Sequence, residues 1–197
     1  MRIIGGQYKS RLISMPKGVD IRPTQDKVRE AIFNLLGDIN GKRVLELFAG
    51  SGAFGIEAIS RGAGYVTFVD NNFKCTQTIK ANLGSLAVQD SLYDIIRANA
   101  LSVLARLAKA EEKYDIIFLD PPYYEGVAKK CLINVDSYDI LSPIGLVMVE
   151  HFKKDVLPTD LRSLVFEKDR RYGDTIITIF RKAAYEKSKD SDIPGNV

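Results

Sequence analysis

The sequence predicts an α/β fold with a seven-stranded, mostly parallel sheet that ends in an antiparallel hairpin. From residue 43 onward, short apolar runs alternate with segments of helical length, as in a doubly wound sheet. Most runs lack strict apolar–polar alternation, which is typical of strands covered by helices on both faces. The last two runs are separated only by Gly173-Asp174, which favours an antiparallel pair at one edge.

The elements can be placed in order along the chain. A short hairpin is predicted at 2–16, with turn residues at Gly5-Gly6 and Lys9-Ser10, and a helix capped by Thr24 follows. The predicted strands are 43–50, 65–70, 92–99, 114–120, 145–151, 163–173 and 174–182. The other predicted helices are 53–61, 72–83, 100–110 and 127–135.

The composition indicates one globular domain. The chain has 197 residues, 46% of them hydrophobic, which is enough for a sizeable core. We expect this domain to span 1–183 and the polar segment 184–197 to be disordered. The sequence shows neither a long apolar span nor a signal-peptide core, so we expect a cytoplasmic protein without a membrane partner. Cys75 and Cys131 lie far apart and are predicted to be reduced, buried thiols.

Positive charge is concentrated near the N-terminus. The first 30 residues contain seven Lys or Arg and three Asp or Glu, whereas the whole chain has a net charge of +3. A basic arm of this kind suits a polyanion such as a nucleic acid. A merely solvated surface is the alternative interpretation of the same charges.

A glycine-rich loop follows the first predicted strand. Gly50, Gly52 and Gly55 satisfy the spacing G-x-G-x-x-G between a strand and a helix, where backbone N–H groups can approach a ligand closely. The next strand ends in Asp70, where a carboxylate can accept the two hydroxyls of a ribose. The pattern therefore predicts a nucleoside-containing cofactor.

NAD and S-adenosylmethionine (SAM) both place a nucleoside at such a loop. SAM is favoured because Glu46 lies where an ammonium group could sit, and methionine has one. The chain also lacks the second nucleotide-binding half of a dinucleotide fold. Asn99 and the N–H of Ala100, after the third strand, can contact adenine, although Asn99 could equally be a turn residue.

The fourth strand ends in Asp120-Pro121-Pro122-Tyr123. The prolines stiffen this corner, so the Asp120 carboxylate and the Pro121 carbonyl can form a fixed pair of hydrogen-bond acceptors. Such a pair fits the two N–H groups of an exocyclic amine, and Tyr123 offers a flat face on which a base can stack. Positioning and electrostatics would then promote attack of the amine on a sulfonium methyl group, without a metal or a strong base. The single histidine, His151, is predicted to be structural.

Four stretches of the chain form a recognisable set: RIIGGQYKSRLISMP, RPTQDKVREAIFNLL, FAGSGAFGIEAISRGA and FLDPPY. Together they resemble the RsmD family of bacterial 16S rRNA methyltransferases, and the resemblance covers about residues 1–182. It implies a Rossmann-like class I SAM-dependent methyltransferase that modifies the N2 amine of guanine 966 in the small ribosomal subunit. Residues 1–40 would form an RNA-binding cover and residues 41–183 the catalytic core.

The candidate site residues follow from the motifs and from this resemblance. The expected catalytic residues are Asp120, Pro121 and Tyr123. The expected cofactor residues are Glu46, Phe48, Ala49, Gly50, Ser51, Gly52, Asp70, Asn71, Asn99 and Ala100. The expected substrate residues are Arg22, Thr24, Pro122, Tyr124, Arg2, Lys9 and Arg11. The expected partner is 16S rRNA in the small subunit or an assembly intermediate, with ribosomal proteins as further contacts and a monomeric enzyme.

Three other functions use parts of the same pattern. An adenine-N6 methyltransferase acting on DNA or RNA would use the same corner, but the chain shows no separate DNA-reading domain. An NAD-dependent oxidoreductase would use the glycine loop. A non-catalytic RNA-binding module would keep the SAM geometry without turnover, against which the intact Asp120 argues.

Overall fold

The computed structural model describes residues 1–19, 26–123 and 126–183. Its strands are β1 Arg43–Leu47, β2 Tyr65–Asp70, β3 Tyr93–Arg97, β4 Tyr114–Leu119, β5 Leu141–Phe152, β6 Leu164–Tyr172 and β7 Thr175–Lys182. Its helices are α1 Asp26–Leu36, α2 Ala53–Ser60, α3 Phe73–Ser85, α4 Ala100–Lys109 and α5 Val127–Ser137, with a 3-10 turn at Asp90–Leu92. Arg22, Thr24, Tyr124 and the predicted disordered tail 184–197 lie outside the described residues.

The strands form one sheet in the order β3-β2-β1-β4-β5-β7-β6. The first five of these are parallel, and β7 pairs antiparallel with both β5 and β6. The predicted mostly parallel sheet with an antiparallel edge hairpin is therefore confirmed. Strand order changes direction between β1 and β4, and in such sheets a ligand crevice lies at the carboxyl ends of those two strands.

Helices cover both faces of the sheet, which explains why most residues of the central strands β1, β2 and β4 are buried. One buried layer contains side chains of α1, α2 and α3, such as Phe33, Phe54 and Ile79. The other contains side chains of α4 and α5, such as Leu104 and Leu132. Among the described residues, no helix has the length and apolar character needed to cross a membrane.

Both cysteines are buried and free, as predicted. Burial raises the pKa of the Cys75 thiol and of the Cys131 thiol to about 12. The thiolate is the reactive form of cysteine, so these side chains act as small apolar core residues rather than as nucleophiles.

The sheet has a bulge in its edge strand β6. The pairing of β6 with β7 shifts register between Phe166 and Lys168. Val165 and Phe166, just before the shift, are both more than half exposed. The same strand continues with charged residues through Arg171.

The N-terminal segment forms the predicted hairpin, with one isolated bridge between Arg2 and Leu12. The Ile3 N–H donates to the Arg11 carbonyl at 2.9 Å, and the Ser10 N–H donates to the Ile3 carbonyl at 2.9 Å. We call residues 1–19 the N-terminal arm. The hairpin is too short to be stable alone, so its position depends on contacts with the rest of the fold.

The arm lies against helix α2. The Glu57 carboxylate, which is fully buried, accepts the N–H groups of Ile4 and Gly5, each at 2.7 Å. Nearby, the Gln7 N–H donates to the Ser60 carbonyl at 2.7 Å. A Cβ added at Gly6 would lie 1.7 Å from this carbonyl oxygen, and Gly6 has a φ of +74°. Glycine is therefore required at this contact.

We predict that Gly6→Ala weakens the docking of the arm. The matched control is Gly37→Ala, because Gly37 has a φ of +70° but nothing within 4 Å of an added Cβ. Both variants bear the cost of a left-handed alanine, about 1–2 kcal/mol, and Gly6→Ala bears the clash in addition. Urea unfolding should therefore show a clearly larger loss of stability for Gly6→Ala. Equal losses would mean that the contact with Ser60 is not tight.

Candidate active site

A cleft opens at the carboxyl ends of β1 and β4, where the topology places a ligand crevice. It brings together the glycine loop, the corner after β4 and the first turn of α2. Its lining residues are Met1, Met15, Arg29, Ile32, Glu46, Phe48, Ala49, Gly50, Ser51, Ala53, Phe54, Phe118 and Asp120. Six of the nine predicted cofactor or catalytic residues on β1, in the glycine loop and in the corner after β4 therefore meet in one place: Glu46, Phe48, Ala49, Gly50, Ser51 and Asp120.

The glycine loop turns sharply because three of its residues have left-handed backbone. Phe48 has a φ of 61°, Gly50 of 54° and Gly52 of 76°. The sequence predicted that the strand continues to Gly50. In the structure β1 ends at Leu47, because the left-handed residues begin at Phe48. The Ala49 N–H donates to the Val69 carbonyl at 3.0 Å, which anchors the loop to β2. A non-glycine residue in this conformation is uncommon, and such strain concentrates at ligand sites.

Gly55, the third glycine of the motif, brings helix α2 close to the sheet. A Cβ at this position would lie 2.3 Å from the Phe68 ring and 2.7 Å from Glu46 Oε2. The small residue thus lets the N-terminus of α2 approach both β2 and the Glu46 carboxylate. Close packing of helix on strand is the role that the third glycine has in nucleotide-binding loops.

Asp70 is held by two backbone groups. The Gly50 N–H donates to Oδ2 at 2.8 Å, and the Asn72 N–H donates to Oδ1 at 2.8 Å. The Cys75 thiol also hydrogen-bonds to Asp70, and because a carboxylate offers about four lone-pair sites, it retains capacity for a further donor. This geometry fits a ribose whose two hydroxyls donate to Asp70. Asn71, beside it, is exposed.

Glu46 is an acid buried in the floor of the cleft, with 4% of its surface exposed. The Gly55 N–H donates to Oε2 at 3.0 Å. Burial is the main cause that raises the pKa of this carboxyl to about 8, so it is largely protonated at neutral pH. A cation bound beside it would favour the ionised form, which fits the predicted ammonium group of methionine.

Asn99 caps helix α4 in the structure. Its side-chain oxygen accepts the Leu101 N–H at 2.9 Å, and the side chain is exposed. The sequence left open a local turn role beside adenine recognition, and the local role observed is that of a helix N-cap. The buried Ala100 begins the helix. Contact of Asn99 or Ala100 with adenine stays a prediction.

Arg29 is a cleft residue that the sequence analysis missed. It lies on α1, is only 2% exposed, and donates through Nη2 to the Arg2 carbonyl at 2.6 Å and to Asp26 at 3.2 Å. Its Nε lies 3.8 Å from Glu57 Oε2. The available signal was an arginine on the apolar face of a predicted helix, next to Val28 and Ile32. Arg29 thus connects the N-terminal arm to the wall of the cleft.

The corner after β4 places Asp120 at the rim of the same cleft. The Asp120 N–H lies 3.5 Å from the Leu47 carbonyl, which links the ends of β4 and β1. Pro121 is buried and Pro122 is exposed. The corner is therefore fixed on its inner side, while its outer side is open to a substrate.

Tyr123 is oriented by residues from distant strands. Its hydroxyl lies 3.0 Å from Thr175 Oγ1 on β7 and 3.5 Å from Glu150 Oε1 on β5. Its ring centroid is 5.8 Å from that of Phe152. The sequence predicted a stacking face here, but not the partners that hold the tyrosine hydroxyl.

His151 is buried in the sheet. Its Nε2 lies 2.9 Å from Thr178 Oγ1, and its Nδ1 lies 3.1 Å from the Phe152 carbonyl oxygen. Burial lowers the pKa of this imidazole. The surroundings agree with the predicted structural role. In the part of the chain that the structure describes, no group of three or more acidic, His or Cys side chains could hold a metal ion.

The predicted RNA contacts of the arm are all exposed at the surface. Lys9 lies at the turn of the hairpin, and Arg11 donates to the Ser85 carbonyl at 3.3 Å. Arg2 forms an ion pair with Asp26 at 3.2 Å, so its charge is partly offset. The remaining predicted substrate residues Arg22, Thr24 and Tyr124 lie outside the described residues.

Comparison with known proteins identifies the family. The model of a family described as "Conserved hypothetical protein 95" matches residues 1–181. Ribosomal RNA small subunit methyltransferase D from Escherichia coli is 31% identical, covering 98% of this chain and 94% of that protein. The chain belongs to the RsmD family. Another relative of this protein, YlbH from Bacillus subtilis, is 42% identical to it, covering 92% of this chain and 99% of YlbH.

Solved structures agree with this assignment. YhhF from Escherichia coli superimposes with a TM-score of 0.79 at 29% identity, covering 93% of this chain and 98% of that one. HI0767 from Haemophilus influenzae gives a TM-score of 0.75 at 28% identity, with coverage of 92% and 97%. The chain therefore has the Rossmann-like fold of methyltransferases, and these two solved structures, named as a methyltransferase and a methylase, share it over nearly their whole length.

We predict that Glu46 makes the protein less stable as the pH rises from about 5 to about 8. Between its ordinary pKa of 4.5 and the folded value of about 8, the folded protein binds more protons than the unfolded chain. Stability must then fall with rising pH in this window. Glu46→Gln keeps an acceptor for the Gly55 N–H but does not titrate, so it should remove this decline.

Urea unfolding at a series of pH values measures this effect. The free energy of unfolding of Glu46→Gln, relative to the wild type, should increase from pH 5 to pH 8. Glu30→Gln is the matched control, because Glu30 is exposed on α1. If both variants follow the wild-type pH profile, Glu46 is already ionised in the folded protein.

Proposed function

We propose that this protein transfers the methyl group of SAM to the N2 amine of guanine 966 in 16S rRNA. The observation that carries the proposal is that Asp120, from the Asp-Pro-Pro-Tyr corner, borders the same cleft as Glu46 and the glycine loop. An amine held at the corner would therefore face a methyl donor held by the loop. The RsmD relatives named small subunit methyltransferases support rRNA as the substrate.

The corner can hold an exocyclic amine through two acceptors. The Asp120 carboxylate and the Pro121 carbonyl would accept its two N–H groups, and both are fixed by the proline-rich backbone. The amine lone pair of guanine is delocalised into the ring, so the amine is a weak nucleophile. Hydrogen bonds to these acceptors, and the negative charge of Asp120, would stabilise the positive charge that develops on nitrogen.

Tyr123 would fix the plane of the base. Its hydroxyl contacts Thr175, and its ring lies near Phe152, so the ring is held in one orientation before the base arrives. Stacking on an aromatic side chain contributes on the order of 1–3 kcal/mol and does not depend on base identity. The selection of guanine over adenine is supported by the family and not by this stacking contact.

The glycine loop and its two acids would hold the methyl donor. SAM supplies an electrophilic methyl group on a sulfonium centre. Asp70 would accept the ribose hydroxyls, and Glu46 would face the ammonium group of the methionine part. The buried Arg29 lines the same cleft and would offset the negative charge of a carboxylate there. These residues orient the donor, and orientation is a large part of the catalysis expected of such a site.

The N-terminal arm would bind the rRNA backbone. Lys9 and Arg11 are exposed, and phosphate contacts position RNA without reading its sequence. An arm of this size covers a small surface, so we infer that ribosomal proteins complete the docking surface in an assembly intermediate or in the subunit. Robust methylation of protein-free 16S rRNA would contradict that part of the proposal.

The function is tested by methyl transfer from labelled SAM to small ribosomal subunits that lack the modification, with mapping at nucleotide resolution. We expect one N2-methylguanine in 16S rRNA, at position 966. Label on adenine would instead support an adenine-N6 methyltransferase that uses the same corner. Absence of label from every nucleic acid, despite SAM binding, would refute the proposed substrate class.

We predict that Asp120→Ala keeps SAM affinity but loses most turnover. Asp120 stabilises charge that develops only during the reaction, and removal of such a group lowers kcat by a factor on the order of 100 to 1,000. Asp94→Ala is the matched control, because Asp94 is exposed on β3. Isothermal titration with SAM and single-turnover methylation measure the two effects. An equal loss of SAM binding and turnover would place Asp120 in the cofactor site.

A further inference from the structure

Helix α3 presents a basic face with an exposed aromatic residue at its N-terminus. The helix contains Lys74 and Lys80 and no Asp or Glu. Phe73, Gln77 and Lys80 are exposed at helical spacing, and Lys74 is exposed next to Phe73. Phe73 is 57% exposed, so its ring is accessible to a binding partner beside these lysines.

The N-terminal arm runs along this helix and extends its positive charge. Asn82 joins the two segments, because it accepts the Ser14 N–H at 2.8 Å and donates to the Ser14 carbonyl at 3.0 Å. At one end of α3, Arg11 donates to the Ser85 carbonyl. At the other end, Lys74 Nζ lies 3.3 Å from the position that a Cβ would take on Gly18.

Phe73 also has a cationic neighbour. The Arg97 guanidinium carbon lies 5.6 Å from the Phe73 ring centroid, and Arg97 is itself exposed at the end of β3. The nearest acid in sequence is Asp70, whose two oxygens accept N–H groups of the glycine loop and Asn72. We define the α3 face by its cations and its aromatic residue: Arg11, Lys17, Phe73, Lys74, Lys80 and Arg97.

The location of the α3 face relates it to the candidate active site. Phe73 follows the carboxyl end of β2, and Asp120 follows the carboxyl end of β4. These strands flank β1, so their ends lie two strand spacings apart, about 10 Å. Among the described residues, the other largely exposed aromatic side chain is Phe166, on β6 at the opposite edge of the sheet.

We propose that the α3 face binds single-stranded RNA next to the target nucleotide, with a base stacked on Phe73 and Arg97. This inference rests on the proposed function and adds a second RNA surface to the arm. An exposed aromatic ring beside arginine, bordered by lysines, is the arrangement with which proteins bind unpaired nucleotides. Because α3 contains no Asp or Glu, its charge favours a polyanion over a protein surface that carries both acidic and basic residues.

The test compares Phe73→Ala with Phe166→Ala, because both remove an exposed aromatic ring. The binding of a fluorescent single-stranded RNA oligonucleotide of mixed sequence is measured by anisotropy, together with SAM affinity and methyl transfer to subunits. We expect Phe73→Ala to raise the Kd for RNA about ten-fold, with SAM affinity unchanged. Phe73→Tyr should restore RNA affinity, which excludes a folding defect. Phe166→Ala should behave like the wild type.

The lysines are tested through salt dependence. Lys74→Gln should reduce the slope of log Kd against log salt concentration by the amount expected for one phosphate contact. Lys109 is an exposed lysine at the end of α4, and Lys109→Gln should leave the slope unchanged. This measurement separates phosphate contact from stacking, because Phe73→Ala should leave the slope unchanged.

The outcomes separate this inference from the proposed function. Methylation by the wild type, with equal RNA affinity for Phe73→Ala and Phe166→Ala, overturns the α3 face and leaves the function intact. RNA binding that depends on Phe73, without methyl transfer, supports the α3 face and overturns the function. A loss of SAM affinity in Phe73→Ala would instead place Phe73 over the adenosine. Reduced methyl transfer to subunits by Phe73→Ala, with RNA and SAM affinity unchanged, would overturn RNA binding at the α3 face and assign the surface to a ribosomal protein.

Discussion

The buried carboxylate of Glu57 is the interaction on which the arrangement of this protein depends. It accepts the Ile4 and Gly5 N–H groups and forms an ion pair with Arg61 at 2.7 Å, while Arg29 lies at 3.8 Å. A buried charge is costly unless it is fully hydrogen-bonded and paired. Here the required partners come from the arm, from α1 and from α2 itself. Satisfying one carboxylate therefore fixes three parts of the chain relative to one another.

This arrangement joins the N-terminal arm to the cleft of the candidate active site. The N-terminal arm is both the basic segment expected to bind RNA and a wall of the cleft, through Met1 and Met15. Arg29 contacts the backbone of the arm and also lines that cleft. A displacement of the arm would thus change the wall of the cleft that also contains Glu46 and the glycine loop. Neighbouring elements that share a buried polar network respond together because partial satisfaction of the network is unfavourable.

Much of the fold and part of the site could be predicted from local sequence. Strand–helix alternation, the glycine spacing and Asp70 are features of neighbouring residues, and the structure brings Gly50 and Asp70 together as expected. The contacts of Tyr123 could not be predicted in this way. Its hydroxyl partner Thr175 lies 52 residues along the chain, on a strand inserted between β5 and β6. Such contacts depend on strand order, which apolar periodicity does not specify.

Buried polar residues were also difficult to predict for a physical reason. Arg29 and Glu57 appear in the sequence as charged residues on helices, and charged residues are usually exposed. Their burial becomes favourable only when partners from distant segments satisfy them. Asn99 illustrates the converse case, because a local role, as a turn residue, was already one of the two interpretations of the sequence, and its observed cap contact is with a residue only two positions along the chain.

The bulge in β6 has a consequence for how this protein behaves at high concentration. A sheet edge exposes unpaired backbone groups that can template the addition of another chain. The register shift between Phe166 and Lys168 twists this edge, and Arg170 and Arg171 add charge where a foreign strand would align. At the other edge, β3 has only five residues. Both margins of the sheet thus discourage the strand-by-strand growth that leads to aggregation.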